Sequence, residues 1–225
     1  MKNRFSVLSA PVFTILLALL LAPVLSAPAL AGAYEEMEEA LVRGNAGAVI
    51  DLVNRGMDVN TVDTQGNTLL IQSIQRDLPE LFAFLLQRKA RVNLRNRYGE
   101  TALSIAAYLG RAEFARRLVD AGAEVNFFGW APLAYAAYNG HAEIVDYLIG
   151  RGADVDAITE NGSTALFFAA RHGHVETLKA LLKHGADPDI VNDNGETAID
   201  WALKGNNTEA ANILRAAAAP KSEKP

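Results

Sequence analysis

His172 and His174, separated by one residue, are the side chains in this sequence that come nearest to suggesting a metal site. A structural or catalytic zinc needs three or four nitrogen, sulfur or carboxylate ligands, and the rest of such a set is absent: there is no cysteine, and the chain holds four histidines in all. Glu35, Glu36, Glu38 and Glu39 lie at i, i+1 and i, i+3 spacing on one helix. They lack a loop with alternating oxygen ligands of the kind calcium takes, and they read as a solvated helix face. No G-x-x-x-x-G-K-[ST] phosphate loop, H-E-x-x-H helix, G-x-S-x-G turn or cysteine nucleophile is present. Neither catalysis nor a bound metal or cofactor is expected.

The chemistry that remains is recognition. Tyr98, Tyr108, Phe127, Phe128, Trp130, Tyr138 and Arg171 crowd the middle of the chain. Large rigid aromatics and arginine are the side chains that dominate interface hot spots. What positions them is a repeat. Leu52, Leu85, Leu118, Leu148, Leu181 and Leu214 recur at spacings of 33, 33, 30, 33 and 33 residues, and Gly56, Lys89, Gly122, Gly152 and Gly185 form a second column. A period near 33 marks stacked helical units, each too small to bury its apolar face except against its neighbours. Thr68, Thr101, Thr164 and Thr197 precede apolar-periodic runs as helix caps do, and Pro132 stands where a first-turn residue needs no N–H partner. The glycine column suits the left-handed residue that ends a second helix. Lys89 in that column should cost about 1 kcal/mol, which makes its unit a softer one. The alanine pairs 106/107, 136/137 and 169/170 allow helices to approach closely.

Gly99-Glu-Thr101-Ala-Leu103-Ser-Ile-Ala106-Ala107-Tyr-Leu-Gly110 with Leu118-Val-Asp-Ala-Gly122-Ala-Glu-Val125-Asn126 resembles the ankyrin repeat, as does Gly129-Trp-Ala-Pro132-Leu133-Ala-Tyr-Ala136-Ala137-Tyr-Asn-Gly140-His141 with Leu148-Ile-Gly-Arg-Gly152-Ala-Asp-Val155-Asp156. The resemblance runs from about residue 35 to 219. It implies an all-α repeat solenoid, a stack of six helix-turn-helix units joined by short β-hairpin fingers. The units are 34–62, 63–95, 96–126, 127–156, 157–189 and 190–219, within a domain spanning 32–219, followed by a disordered tail at 220–225. The first and last units carry the polar faces of end caps: Glu35 to Glu39 in one, and Asp200, Lys204, Asn206, Asn207 and Arg215 in the other. His141 and His174 fall at the repeat's own Gly-His position. Helices of adjacent units pack about 10 Å apart, too far for these two histidines to share an ion.

In ankyrin proteins the finger tips and exposed first-helix positions form a concave surface that contacts partners. Carried to this sequence, that surface comprises Arg97, Tyr98, Tyr108, Leu109, Phe128, Trp130, Tyr138, Asn139, Arg171 and His172, centred on units three to five. Three residues are missing between Asn126 and Leu133 relative to the neighbouring units. The third finger is therefore short, and its aromatics either face a partner or fold inward to replace the lost turn. The histidine of the family's T-P-L-H pattern is absent throughout, its place taken by Ile71, Ser104, Ala134, Phe167 and Asp200. Stability should accordingly lean on apolar stacking, with Phe167 and Phe168 compensating in the fifth unit.

The first 31 residues obey a different logic. Lys2 and Arg4 precede an uncharged stretch with an apolar core at 12–22, and Ala29-Leu30-Ala31 places small residues where a signal peptidase cuts. The segment resembles a bacterial secretory signal peptide; an uncleaved anchor is the alternative, because the uncharged stretch is long enough to span a bilayer. Removing Lys2 and Arg4 from 21 basic residues leaves 19 against 26 acidic ones, a net of about −7, which argues against nucleic acid as a partner. The absence of cysteine suits an oxidising compartment. The expectation is a monomeric periplasmic binding scaffold for a protein partner, with no membrane contact after cleavage; an immunity or inhibitor protein blocking one toxin or hydrolase is the alternative. The mature chain should begin at Gly32 in the periplasmic fraction. N-terminal sequencing checks this, and an intact chain recovered from the cytosol would refute export.

Overall fold

The computed structural model of the protein describes residues 27–218. Residues 1–26 of the expected signal peptide and the expected tail lie outside the described residues. Six helix pairs follow one another: α1 (Ala27–Val42) with α2 (Ala46–Asn54), α3 (Leu69–Gln75) with α4 (Pro79–Gln87), and α5 (Ala102–Tyr108) with α6 (Ala112–Asp120). Then come α7 (Pro132–Tyr138) with α8 (Ala142–Gly150), α9 (Ala165–His172) with α10 (Val175–Lys183), and α11 (Ala198–Lys204) with α12 (Thr208–Ala218). The first helices α3, α5, α7, α9 and α11 stack side by side, and α6, α8, α10 and α12 stack behind them. The architecture is an all-α repeat solenoid. α1 begins before the expected start of the first unit at residue 34, and no described helix is long and apolar enough to cross a membrane.

The columns of the sequence become the parts of this stack. Thr68 and Thr101 accept hydrogen bonds from the amides of Ile71 and Ser104 at 3.2 and 3.1 Å. Thr197 and Asp200 form a reciprocal capping box at the start of α11. Pro132 opens α7 with its missing N–H at a position that needs none. Thr164 caps α9 by backbone conformation alone, its buried hydroxyl making no hydrogen bond. All six leucines of the column are buried, and the three alanine pairs are completely so.

The expected β-hairpin fingers require correction. Among the described residues there is no strand, only an isolated antiparallel bridge between Val62 and Thr68. Apart from the short third one, the fingers are tight turns closed by backbone bonds such as Asn96 N–H to Glu100 O at 3.0 Å or Thr159 N–H to Ser163 O at 2.9 Å. Their Asn and Asp side chains accept further amides of the same turn, and such local bonds compete with ladder pairing. Adjacent fingers touch through Arg97 N–H to Gln65 O and Asp193 N–H to Asn161 O.

Two side-chain series tie unit to unit. Asn60, Asn93, Asn126 and Asp156 each accept the amide of a residue one unit on, Arg91, Glu124, Asp154 and Asp187, at 2.8 to 3.0 Å. On the other side, the Nε2 atoms of His141 and His174 donate to the carbonyls of Tyr108 and Tyr138 at 3.1 and 3.0 Å, and Asn207 Nδ2 donates to that of Arg171 at 2.6 Å. The His174 ring stands over Gly140, where a Cβ would meet its Nδ1 at 2.6 Å. Glycine is therefore required there both for its positive φ and for the space. Lys89 holds φ at +58°, as its place in the glycine column implied. Lys89→Gly should raise stability by about 1 kcal/mol; urea denaturation measures the change, and an unchanged midpoint would exclude strain at this turn.

Candidate protein-binding surface

Each first helix presents two positions to the finger side, the fourth and seventh residues after its cap. They lie at i, i+3 and so share one helix face. The seventh position carries Tyr108, Tyr138 and Arg171, and the fourth carries Ile105, Tyr135, Phe168 and Trp201. Stacking the helices aligns both series. The rings of Tyr108 and Tyr138 stack with centroids 6.4 Å apart and planes 27° from parallel. Tyr135 meets Tyr108 edge-on at 6.1 Å.

Trp130, on the short third finger, joins this array from the front. Its ring lies 5.2 Å from Tyr135, 5.8 Å from Tyr138 and 4.4 Å from Phe168. Residues 127–131 make no backbone hydrogen bond to the finger on either side, so aromatic packing does for this finger what backbone bonds do for its neighbours. Trp130 is half-buried, packed inward on these rings with part of its surface left to solvent. Phe127 is capped by the Arg95 guanidinium 4.1 Å above its ring. Phe128 is 73% exposed and belongs to no described ring contact.

Of the ten residues expected at the surface, the structure brings together Tyr108, Trp130, Tyr138 and His172, whose ring lies 4.4 Å from Tyr138. Tyr108 and Leu109 are 40% and 38% exposed, whereas Tyr138 is partly buried among four rings. Asn139 is drawn into the frame, donating to the Tyr108 carbonyl at 2.6 Å. Arg171 lies over the Trp201 ring at 5.6 Å. Arg97 is exposed on the second finger, where Tyr98 donates to Gln65 Oε1 at 2.9 Å. Tyr135 and Trp201, both half-buried, were missed as surface residues, while Phe168 is buried behind them as expected. Their signal was the fourth-position column itself, which reads as core until the seventh position is seen to be aromatic as well.

Burial raises the Tyr135 phenol above its ordinary range, with the negative charges of Glu100 and Glu160 adding to the shift. His172 is lowered, first by burial and then by His174 and Arg171, so its ring favours the neutral form. Its centroid lies 5.9 Å from that of His174, whose Nε2 is committed to a backbone carbonyl. Among the described residues no three His, Asp or Glu side chains converge as a metal site would need.

The stacked pairs with their turns and inter-unit bonds define a helical repeat protein. A family profile described as "Ankyrin repeats (3 copies)" matches residues 37–129, 79–159 and 133–224; the chain belongs to the ankyrin-repeat family. It is also similar to the ankyrin repeat domain-containing protein SAT10 of Stachybotrys chartarum, 36% identical over 95 residues. That match covers 42% of this chain and 5% of the much longer relative. Ankyrin repeats generally serve as protein–protein interaction scaffolds and are typically non-catalytic. Because Trp130 packs on three rings and Phe128 on none, Trp130→Ala should cost about 2 kcal/mol of stability, while Phe128→Ala stays within about 0.5 kcal/mol. Chemical denaturation of the two variants checks the contrast.

Proposed function

We propose that the protein is a non-catalytic binding scaffold of the bacterial periplasm, engaging a protein partner through the first-helix and finger face of units three to five. The observation that carries this reading is the array of Tyr108, Trp130, Tyr135 and Tyr138, four adjoining aromatic rings that line one cleft. An apolar array of this kind, rimmed by polar side chains, is the usual appearance of an unoccupied protein-binding site. The ankyrin family supports a protein as the partner. The secretory features of the first 31 residues and the lack of cysteine support the compartment.

Tyr108 and Tyr138 separate in this reading. Tyr108→Ala should weaken the partner complex by about 2 kcal/mol or more with little change in unfolding midpoint, because the ring is substantially exposed. Tyr138→Ala should lower both affinity and stability, since that ring is enclosed by four others. Isothermal titration with the partner and thermal melts of the same preparations test the pair; full affinity in Tyr108→Ala would place the site elsewhere.

A further inference from the structure

The cleft lined by Tyr108, Trp130, Tyr135 and Tyr138 has a volume of about 400 Å³, and its chemistry differs from that of other aromatic groups in the protein. Phe82, Phe84, Phe127, Tyr147 and Trp201 each lie beneath a guanidinium of the chain itself, from Arg117, Arg88, Arg95, Arg116 with Arg151, and Arg171, at 4.1 to 5.8 Å. The four rings of the cleft carry no such cation among the described residues. Two carboxylates stand beside it. Glu160 reaches back over Gly129, occupying the space a Cβ there would need, and Glu100, at the end of the second finger, receives Asn96 Nδ2 on one oxygen at 2.8 Å. Both charges act on the Tyr135 phenol. Neither Glu100 nor Glu160 takes part in an ion pair among the described residues.

We infer that this cleft is a receptor for one arginine side chain of the partner protein, its guanidinium lying against the rings of Tyr108, Trp130 and Tyr138 and its N–H groups directed at the carboxylates of Glu160 and Glu100. The inference rests on the proposed binding face and supplies the partner's chemistry. Ring faces carry negative quadrupole and attract a cation, and adjacent carboxylates add a formal charge that the chain does not neutralise itself. Arginine fits better than lysine. A planar guanidinium stacks on aromatic faces and is weakly hydrated, whereas an ammonium gives up its water reluctantly in a cleft open to solvent. The fork of N–H donors can also bond a carboxylate while its face stays on a ring.

The test uses the full-length mature chain and small probes: N-acetyl-arginine amide, its neutral citrulline counterpart, Nα-acetyl-lysine amide and tetramethylammonium, titrated by NMR. The chain has two tryptophans, so the indole resonances report separately on the cleft through Trp130 and on the Arg171-capped ring of Trp201. The arginine amide should shift Trp130 saturably and bind about five-fold or more tightly than citrulline, with Trp201 nearly unmoved. Glu160→Gln, which removes a charge without touching any described hydrogen bond, should reduce that preference, and the double variant with Glu100→Gln should abolish it. Equal binding of citrulline, equal or tighter binding of the lysine amide or tetramethylammonium, or no saturable shift at Trp130 would each overturn the inference. A partner complex lost in Tyr108→Ala but unaffected by both glutamine substitutions leaves the binding face standing and removes the arginine; a complex retained in Tyr108→Ala removes the face itself.

Discussion

The carbonyl group left over at the ends of α5, α7 and α9 governs the spacing of the aromatic face. Tyr108, Tyr138 and Arg171 each present a C=O that the helix does not use, and His141, His174 and Asn207 of the following unit take it up. An unsatisfied buried carbonyl is costly, while a bond that satisfies it contributes about 1 kcal/mol. The carbonyls belong to the same residues whose side chains form the seventh-position column. Each clamp therefore holds a surface side chain at a defined distance from the next unit, and the 6.4 Å between the Tyr108 and Tyr138 rings follows from the frame. Asn139 adds a second donor to the Tyr108 carbonyl, so the junction between units three and four is held by two side chains of the following unit.

The fold was legible because its determinants are columns. Leucines, alanine pairs and threonine caps recur at one period, and apart from the unpartnered hydroxyl of Thr164 the structure uses them for the roles their residue types dictate, down to the left-handed backbone at Lys89. The fingers were less legible. A turn of five residues rich in Asn, Asp and Gly satisfies its polar groups locally, and nothing in the spacing tells a closed turn from a two-stranded hairpin. Among the surface residues, reading one helical column identified Tyr108 and Tyr138 but left out the half-buried Tyr135 and Trp201. On first helices only seven or eight residues long, an aromatic can be half core and half surface, and residue type alone does not divide the two. Asn139 shows the opposite error, a residue exposed by position whose side chain is committed to the frame.

The T-P-L-H histidine is absent from every unit, and the fifth unit shows what can stand in its place. The buried hydroxyls of Ser163, Thr164 and Thr177 have no hydrogen-bond partner, and they lie in the fifth unit, where Phe167 and Phe168 occupy the histidine position and its neighbour. Both phenylalanines are buried, and both meet Trp201 edge-on at 5.5 and 5.7 Å. Apolar burial and ring contacts replace the missing polar link there. Aromatic pairs of this geometry each contribute about 0.5–1.5 kcal/mol beyond their buried area.

The same exchange explains why the aromatic face is continuous. Phe168 and Trp201 hold the fifth and sixth units together and give the ring array of units three and four a packed neighbour, and Trp130 lies against Phe168 at 4.4 Å in place of the bonds its shortened finger lacks. Rigidity of this kind matters for recognition. A side chain already held by its neighbours loses little rotamer freedom when a partner arrives, and less of the contact energy is offset by ordering. The aromatics that stabilise the stack and those that face the cleft are thus one packed network, with Tyr108 and Leu109 its exposed edge and the frame carbonyls beneath Tyr108 and Tyr138 fixing its register.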